Sequence, residues 1–452
     1  MTFSVITLGC KVNQCESESI AREMVSKGFV KPEKRRGPAE QKPAICIINT
    51  CTVTRKAAMQ SRQAIRQAIR CNPEALIVVT GCLAQTAPEE IKKIDGVQYI
   101  VGHADKPRIA DLASAMKPDR VSQPEIIHRG IRDIRTYQDM RLPALGSRTR
   151  PFLKIQDGCD AFCTYCIVPF ARGPSRSMPM ERVTRHIRHI REAGYHEIVL
   201  TGIHLGRYGI DLSPEIDLSF LLKHLCGGES IDRIRLSSME PLELTPKLIE
   251  LAARADRRPG QICPHFHIPL QSGDDEILKR MHRPYRRDDF RKRVLHILEM
   301  LPHAAVGADV LIGFPGETDP AFENTFRLLE ELPLAYLHVF PFSARKGTPA
   351  AEYPNHVPQQ IIKERCRRTR AMGVQKRKAF IQHWLDQDLE VLVEDSRDAH
   401  SGMLTGVTSN YIKVLLNGED RLQNTFQKVH IEALADERTL SGRLQSSCHL
   451  SE

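Results

Sequence analysis

Four apolar runs open the chain, FSVITLG, AICIINT, LIVVTG and VQYIVG, with helix-period stretches near residues 14–26, 57–69, 88–93 and 106–116. Runs that are apolar on both of their alternating faces belong to strands covered on both sides, so residues 1–120 are predicted to form a parallel sheet between helices. A charged, proline-bearing insert at residues 31–43 reads as a surface loop, and the polar, arginine-bearing stretch 121–150 reads as a connector. From residue 151 to about 350 the alternation resumes. FLKIQDG, EIVLTG, RIRLSS, HFHIPLQS, VGADVLIGF and YLHVFPFS are six strand candidates, each followed by a helical stretch. Six such units predict an incomplete parallel barrel, open on one side and able to admit a large substrate. Residues 351–387 read as a basic helical arm. Beyond them Leu389, Val391 and Val393 alternate, residues 403–407 and 411–415 repeat the short-strand pattern, and Asn417-Gly418 signals a turn. This predicts a small antiparallel barrel over residues 388–446. The expected fold class is α/β: a parallel-sheet amino-terminal domain, an open (β/α)6-type barrel and a small carboxyl-terminal β-barrel.

A chain of 452 residues can bury two or three separate cores, and 41% hydrophobic with 27% charged residues is ordinary for a globular protein. No apolar run approaches the roughly 20 residues of a membrane span. Residues 1–10 lack the basic start and apolar core of an export signal, so the expected location is cytoplasmic, with no membrane partner. Thirteen cysteines, an odd number, then read as reduced thiols and metal ligands in preference to a disulfide framework. Lys plus Arg number 65 against 55 for Asp plus Glu, a net charge of +10 that suits a polyanionic partner. Residues 363–378 concentrate eight of these basic residues against one acid, and Arg367, Arg368 and Arg370 are candidate RNA contacts there.

The densest chemistry lies in FLKIQDGCDAFCTYCIVPFAR, where Cys159, Cys163 and Cys166 are spaced C-x3-C-x2-C. Three thiolates within eight residues can face one metal centre without help from distant chain. Zinc would require a fourth ligand close by, and the next Cys and His, Cys226 and His186, lie well outside the loop. Three ligands on a 4Fe-4S cluster leave one iron open to a small molecule, and Tyr165 offers an aromatic face to a bound adenine. A second set is Cys10, Cys51 and Cys82, each directly after a predicted strand, so a parallel sheet brings all three to one edge. Cys15, Cys46 and Cys71 fall inside predicted elements and read as core or incidental. His265 and His267 alternate along an apolar strand and read as hydrogen-bonded barrel histidines.

The loop resembles the signature of radical S-adenosylmethionine enzymes, and the words around it resemble the methylthiotransferases of that superfamily. TLGCKVNQ, INTCTVT and TGCLAQT are similar to the three cysteine words of the family's amino-terminal domain; the chain departs from the family at Cys15, where an aromatic is more usual. LTGIHLG, HIPLQSG, DVLIGFPGET and HVFPFSARKGTPA extend the likeness through the barrel. The resemblance implies two 4Fe-4S clusters and S-adenosylmethionine as cofactors. Cys159, Cys163 and Cys166 would hold the catalytic cluster, and Cys10, Cys51 and Cys82 an auxiliary one. Contacts to S-adenosylmethionine would come from Tyr165, Gly202, Glu240 and Gln271. The tail resembles the TRAM domain, an RNA-binding module, with Tyr411 and Lys413 as candidate contacts on one strand face. The implied reaction is methylthiolation of C2 of N6-threonylcarbamoyladenosine in tRNA beside the anticodon, needing an external electron donor and a sulfur source. Relatives that act on isopentenyladenosine or on a ribosomal-protein aspartate are the alternatives, as is an iron-sulfur RNA-binding protein without turnover.

Overall fold

The computed structural model describes residues 1–32, 42–115, 123–142, 148–226, 231–255 and 260–445. Most of the expected insert at 31–43 and the tail from residue 446 onward fall outside the described residues. The amino-terminal sheet runs Phe3–Thr7, Ile45–Thr50, Leu76–Gly81, Tyr99–Val101 and Glu125–Ile127, parallel and in chain order. Its two faces carry separate cores. Phe3, Ile45, Ile47 and Val78 pack under the Lys11–Ser26 helix, while Cys46, Ile48, Ile77 and Val79 pack under the Arg55–Cys71 helix. Cys46 is thus a core residue, and Cys71 is exposed at its helix end. The fifth strand corrects the reading of 121–150 as connector throughout. Glu125–Ile127 is too short to show a period, and it is the free edge of Tyr99–Val101 that makes it a strand.

The central domain has the six expected strands. Phe152–Lys154, Glu197–Thr201 and Arg233–Leu236 pair in parallel, and so do His265–Gln271, Ala305–Ile312 and Tyr336–Pro341. The two groups meet through the amide of Met239, which donates to the carbonyl of His267, and through Gln261–Ile262, which pairs with Arg233–Leu236. The two outermost strands, Phe152–Lys154 and Tyr336–Pro341, are not paired, so the barrel is open on that flank.

The helix Gln359–Gln382 is a strut shared by two cores. Ile362, Cys366 and Met372 join the barrel core, while Ile381, with Trp384 just beyond, joins the core of the next domain. That domain is a closed five-stranded barrel ordered Asp388–Arg397, Leu404–Thr408, Lys413–Leu416, Thr439–Leu444, Phe426–Leu434. Asn417-Gly418 does not make a two-residue hairpin; the chain leaves there through a longer connection to Phe426, because Lys413–Leu416 takes Thr439–Leu444 as its second neighbour. No helix among the described residues is long and apolar enough to cross a membrane.

Candidate active site

The loop cysteines sit on a closed excursion from the first barrel strand. A two-rung ladder, Gln156 to Ser177 and Asp157 to Arg176, shuts its base. Gln156 is buried there, donating to the Asp157 and Gly158 carbonyls and to Ser175 while its Oε1 accepts from the amide of His204. The loop is also pinned across the barrel mouth, where the Thr164 amide donates to Met281 and its carbonyl accepts from Ala350. Side chains from other strand ends reach the thiols. Nδ1 of His204 lies 3.3 Å from Sγ of Cys159, with Nε2 2.6 Å from Glu243. Burial alone would lower the His204 pKa, but these two contacts raise it to about 10. Arg283 places Nη1 3.2 Å from Sγ of Cys163 and Nη2 on the carboxylate of Glu240. Burial drives Cys166 up to about 12, so without a metal it holds its proton.

Of the expected cofactor contacts, Glu240 and Gln271 stand at neighbouring strand ends. Gln271 carries a left-handed backbone, φ +64°, at a register shift in its strand, a strained position of the kind that re-aims a side chain. Tyr165 packs beside Arg283, Cys163 and Cys166. Gly202 is packed against the loop base, since a Cβ there would meet the Gln156 side chain at 2.8 Å.

Cys10, Cys51 and Cys82 occupy three adjacent strand-to-helix turns. Cys10 caps the Lys11–Ser26 helix and Cys82 begins the Cys82–Thr86 helix. At Gly9, φ +96°, a Cβ would lie 2.8 Å from both Cβ and Sγ of Cys51, so the turn bearing Cys10 can approach Cys51 only because this residue has no side chain. Burial, then the Cys82 thiol, pushes Cys51 up to about 11; burial also raises Cys82, against the pull of Arg172 and Lys106.

This edge faces the barrel mouth. Arg345, just past the last barrel strand, donates to Thr52 Oγ1 at 2.6 Å, and the Arg55 amide donates to Ser343. Between the two thiol sets lies a fully buried charge network that sequence reasoning missed. Glu16 accepts from Lys106 at 2.6 Å, Lys154 at 2.8 Å and Arg172 at 3.0 Å; Asp157 accepts from Arg172 at 2.8 Å and Lys154 at 3.2 Å, with Arg176 3.7 Å away. Arg172 also donates to Asn13 at 2.6 Å. Burial would raise both carboxyls, yet their cations hold each well below the carboxylate range. His103 lies within 3.6 Å of both acids but stays neutral, its pKa brought down to about 3 by burial and then by Lys106 and Arg172. Two carboxylates thus face four buried cations, and the Cys10 and Cys82 thiols lie close enough to act on Arg172. Bound metal requires deprotonated thiols, and three thiolates at this edge would supply the missing negative charge. Both thiol sets therefore fit an anionic, thiolate-ligated cluster. At the loop, the Arg283 and His204 donors point at the sulfurs.

The far end of the barrel is closed by the carboxyl-terminal domain. Arg233 pairs with Glu390 at 2.7 Å and stacks on Phe426, and Arg235 donates to the Thr408 and Ser409 carbonyls. The expectation for Tyr411 needs correction. It precedes its strand in a turn, with φ +67°, and its ring lies 4.5 Å from His265 with Arg235 and Arg150 over it, so it is a joint between domains and does not share a strand face with Lys413. His265 and His267 are hydrogen-bonded barrel residues, both to Tyr336 Oη. The basic helix is likewise partly committed to structure: Arg365 pairs with Glu317 and Asp319, Arg367 with Glu364, and Arg368 with Glu323. Arg370 and Arg377, which donate to the Val339 and Tyr411 carbonyls, also line a cleft of about 900 Å³ with Tyr336, His338, Lys413 and Arg438.

An open six-stranded parallel barrel with this cysteine loop at its strand-end mouth defines a radical S-adenosylmethionine enzyme, and residues 153–329 match the radical SAM superfamily. Residues 2–102 match a family described as uncharacterized protein family UPF0004. Among curated relatives, the threonylcarbamoyladenosine tRNA methylthiotransferase MtaB of Bacillus subtilis (strain 168) is 40% identical over 95% of this chain and 93% of its own length. The protein of the same description from Thermotoga maritima is 33% identical over 98% and 97%. A tRNA-2-methylthio-N(6)-dimethylallyladenosine synthase of Clostridium botulinum is 32% identical over 90% and 89%. The chain belongs to the threonylcarbamoyladenosine tRNA methylthiotransferase family. The fold is shared with the radical S-adenosylmethionine methyltransferase TsrM of Kitasatospora setae, at TM-score 0.56 and 15% identity over 77% of each chain.

Proposed function

We propose that this protein adds a methylthio group to C2 of N6-threonylcarbamoyladenosine in tRNA, next to the anticodon. The observation that carries the reading is the pair of thiol triads on facing edges, joined by one buried charge network. Cys159, Cys163 and Cys166 would hold a cluster with an open iron, and Cys10, Cys51 and Cys82 an auxiliary cluster. When bound, these groups supply the electron that splits S-adenosylmethionine and the sulfur that is inserted. The chain's own residues do the rest. Arg283 and His204 donate to the loop sulfurs and fix the loop against the barrel mouth, with Tyr165, Gly202, Glu240 and Gln271 around the S-adenosylmethionine. The Glu16 network excludes water between the two edges and holds their separation. The open flank admits the base, which must leave its stack to be reached. The RNA backbone runs along the Arg370, Arg377, Lys413 and Arg438 cleft. Turnover draws on an external electron donor and a sulfur source, in the cytoplasm.

The test is to offer reconstituted protein, S-adenosylmethionine and reductant to three substrates in parallel: tRNA bearing threonylcarbamoyladenosine, tRNA bearing isopentenyladenosine, and ribosomal protein. Mass spectrometry of nucleosides and peptides should find the methylthio product on the first; product on either of the others alone refutes the substrate assignment.

A further inference from the structure

Lys11 directly follows Cys10 at the start of its helix, yet it belongs to the open flank of the barrel. It lines a cavity of about 510 Å³ with Phe152 of the first barrel strand, Arg150, Arg235 and Tyr411. The side chain is half-buried, and among the described residues its ammonium has no carboxylate partner and makes no hydrogen bond; the ionisable groups it feels are Tyr411, Arg235 and Arg150. The other charges on these walls are engaged. Arg150 pairs with Glu394 at 2.7 Å, Arg235 with Glu197 at 2.7 Å, and Asp395 is bonded to Thr149. An ammonium partly withdrawn from water beside two guanidinium groups is unfavourable by itself, and is relieved when an anion arrives.

We infer that Lys11 is a specificity-determining residue that pairs with the carboxylate of the threonyl group on the target adenosine. This rests on the substrate assignment above and identifies what reads the modification. The threonyl carboxylate is linked to N6 through the carbamoyl group and the threonine α-carbon, several bonds from C2; Lys11 Nζ likewise lies several bonds from the sulfur of Cys10. One base in the open flank can therefore present C2 towards the cysteine edges and its carboxylate to Lys11. An uncharged isopentenyl group would leave this ammonium unpaired. A backbone phosphate offers an oxyanion too, but phosphates stay with the backbone, outside the flank that the flipped base enters.

The test is fluorescence titration of the full-length reconstituted protein with three anticodon stem-loop RNAs. They carry threonylcarbamoyladenosine, its methyl ester, or plain adenosine at the target position. Wild type should prefer the free acid over the ester by at least about tenfold, as expected for a hydrogen bond between charged groups. In Lys11→Met that preference should collapse towards one, while Lys11→Arg restores part of it; iron content is measured on every variant. Wild type binding acid and ester equally would overturn the inference whatever the variants do. An equal loss for all three RNAs in Lys11→Met would assign Lys11 to a phosphate and overturn it as well, as would full discrimination retained in that variant. Failure of wild type to methylthiolate the free-acid RNA is a separate result, which removes the substrate assignment itself.

Discussion

The two thiol triads reach similar ends by opposite construction. Cys159, Cys163 and Cys166 lie on one excursion whose base is a two-rung ladder, so their proximity is a property of about twenty residues. Cys10, Cys51 and Cys82 come from three separate strand ends, and only the parallel pairing of Phe3–Thr7, Ile45–Thr50 and Leu76–Gly81 makes them neighbours. The contrast extends to what surrounds them. The loop sulfurs receive donors from single side chains, His204 and Arg283, whereas the strand-end set rests on a buried network spanning both domains. A locally assembled site should fail by loss of a ligand, and a globally assembled one also by loss of domain docking.

The sharpest separation is between the triads themselves. Replacing Cys163 with Ala should remove the loop cluster, lower iron per chain by about half and abolish both the deoxyadenosine released when S-adenosylmethionine is reductively cleaved and the methylthio product. Deoxyadenosine formation persisting in that variant would break the assignment. Replacing Cys10, Cys51 and Cys82 together should stop product while deoxyadenosine still forms, because no loop ligand is touched; loss of both activities would show that the sites are not separable.

Glu16→Gln tests the docking argument. It leaves Lys106, Lys154 and Arg172 short of a buried counter-charge, and breaking such a set costs about 3–5 kcal/mol. Denaturant unfolding should show this loss, with iron falling first at the strand-end site; a stability within about 1 kcal/mol of wild type would mean the network does not join the domains. A smaller effect is expected at the loop. His204→Leu removes a donor near Cys159 Sγ, and losing a bond of about 1 kcal/mol that favours the more negative reduced state should lower the cluster potential by roughly 40 mV. Potentiometric titration followed by electron paramagnetic resonance checks the sign. The smallest effect lies outside both triads. Arg370→Gln should flatten the log–log salt dependence of RNA binding by about 0.7–0.9, one phosphate, whereas Arg367→Gln, whose side chain is paired with Glu364, should leave it unaltered.

The loop spacing and the strand-end positions of Cys10, Cys51 and Cys82 were legible in the chain because each depends on covalent separation or strand period, both visible over a few residues. The six barrel strands were legible for the same reason. Glu125–Ile127 was not, since three residues carry no period and its strand character comes from the edge it joins. Tyr411 and Lys413 look like one strand face only if the strand begins two residues early; at Tyr411 the chain is in a turn closed on Thr408, which receives the Tyr411 amide on its carbonyl and the Ile412 amide on its hydroxyl, and the ring meets His265 and Arg235.

What the sequence by itself determined is therefore the class of chemistry: two sets of three thiols, an open barrel and a basic arm. What only the tertiary structure decided is which polar residues are buried and whom they meet. Glu16, Lys106, Lys154 and Arg172 are spread over more than 150 positions and read as ordinary surface charges in the chain, as do Lys11 and Arg283. A charge at the surface and a charge in a buried network have the same letter. The difference lies in desolvation and in partners brought together by docking, neither of which is encoded within reach of any local pattern.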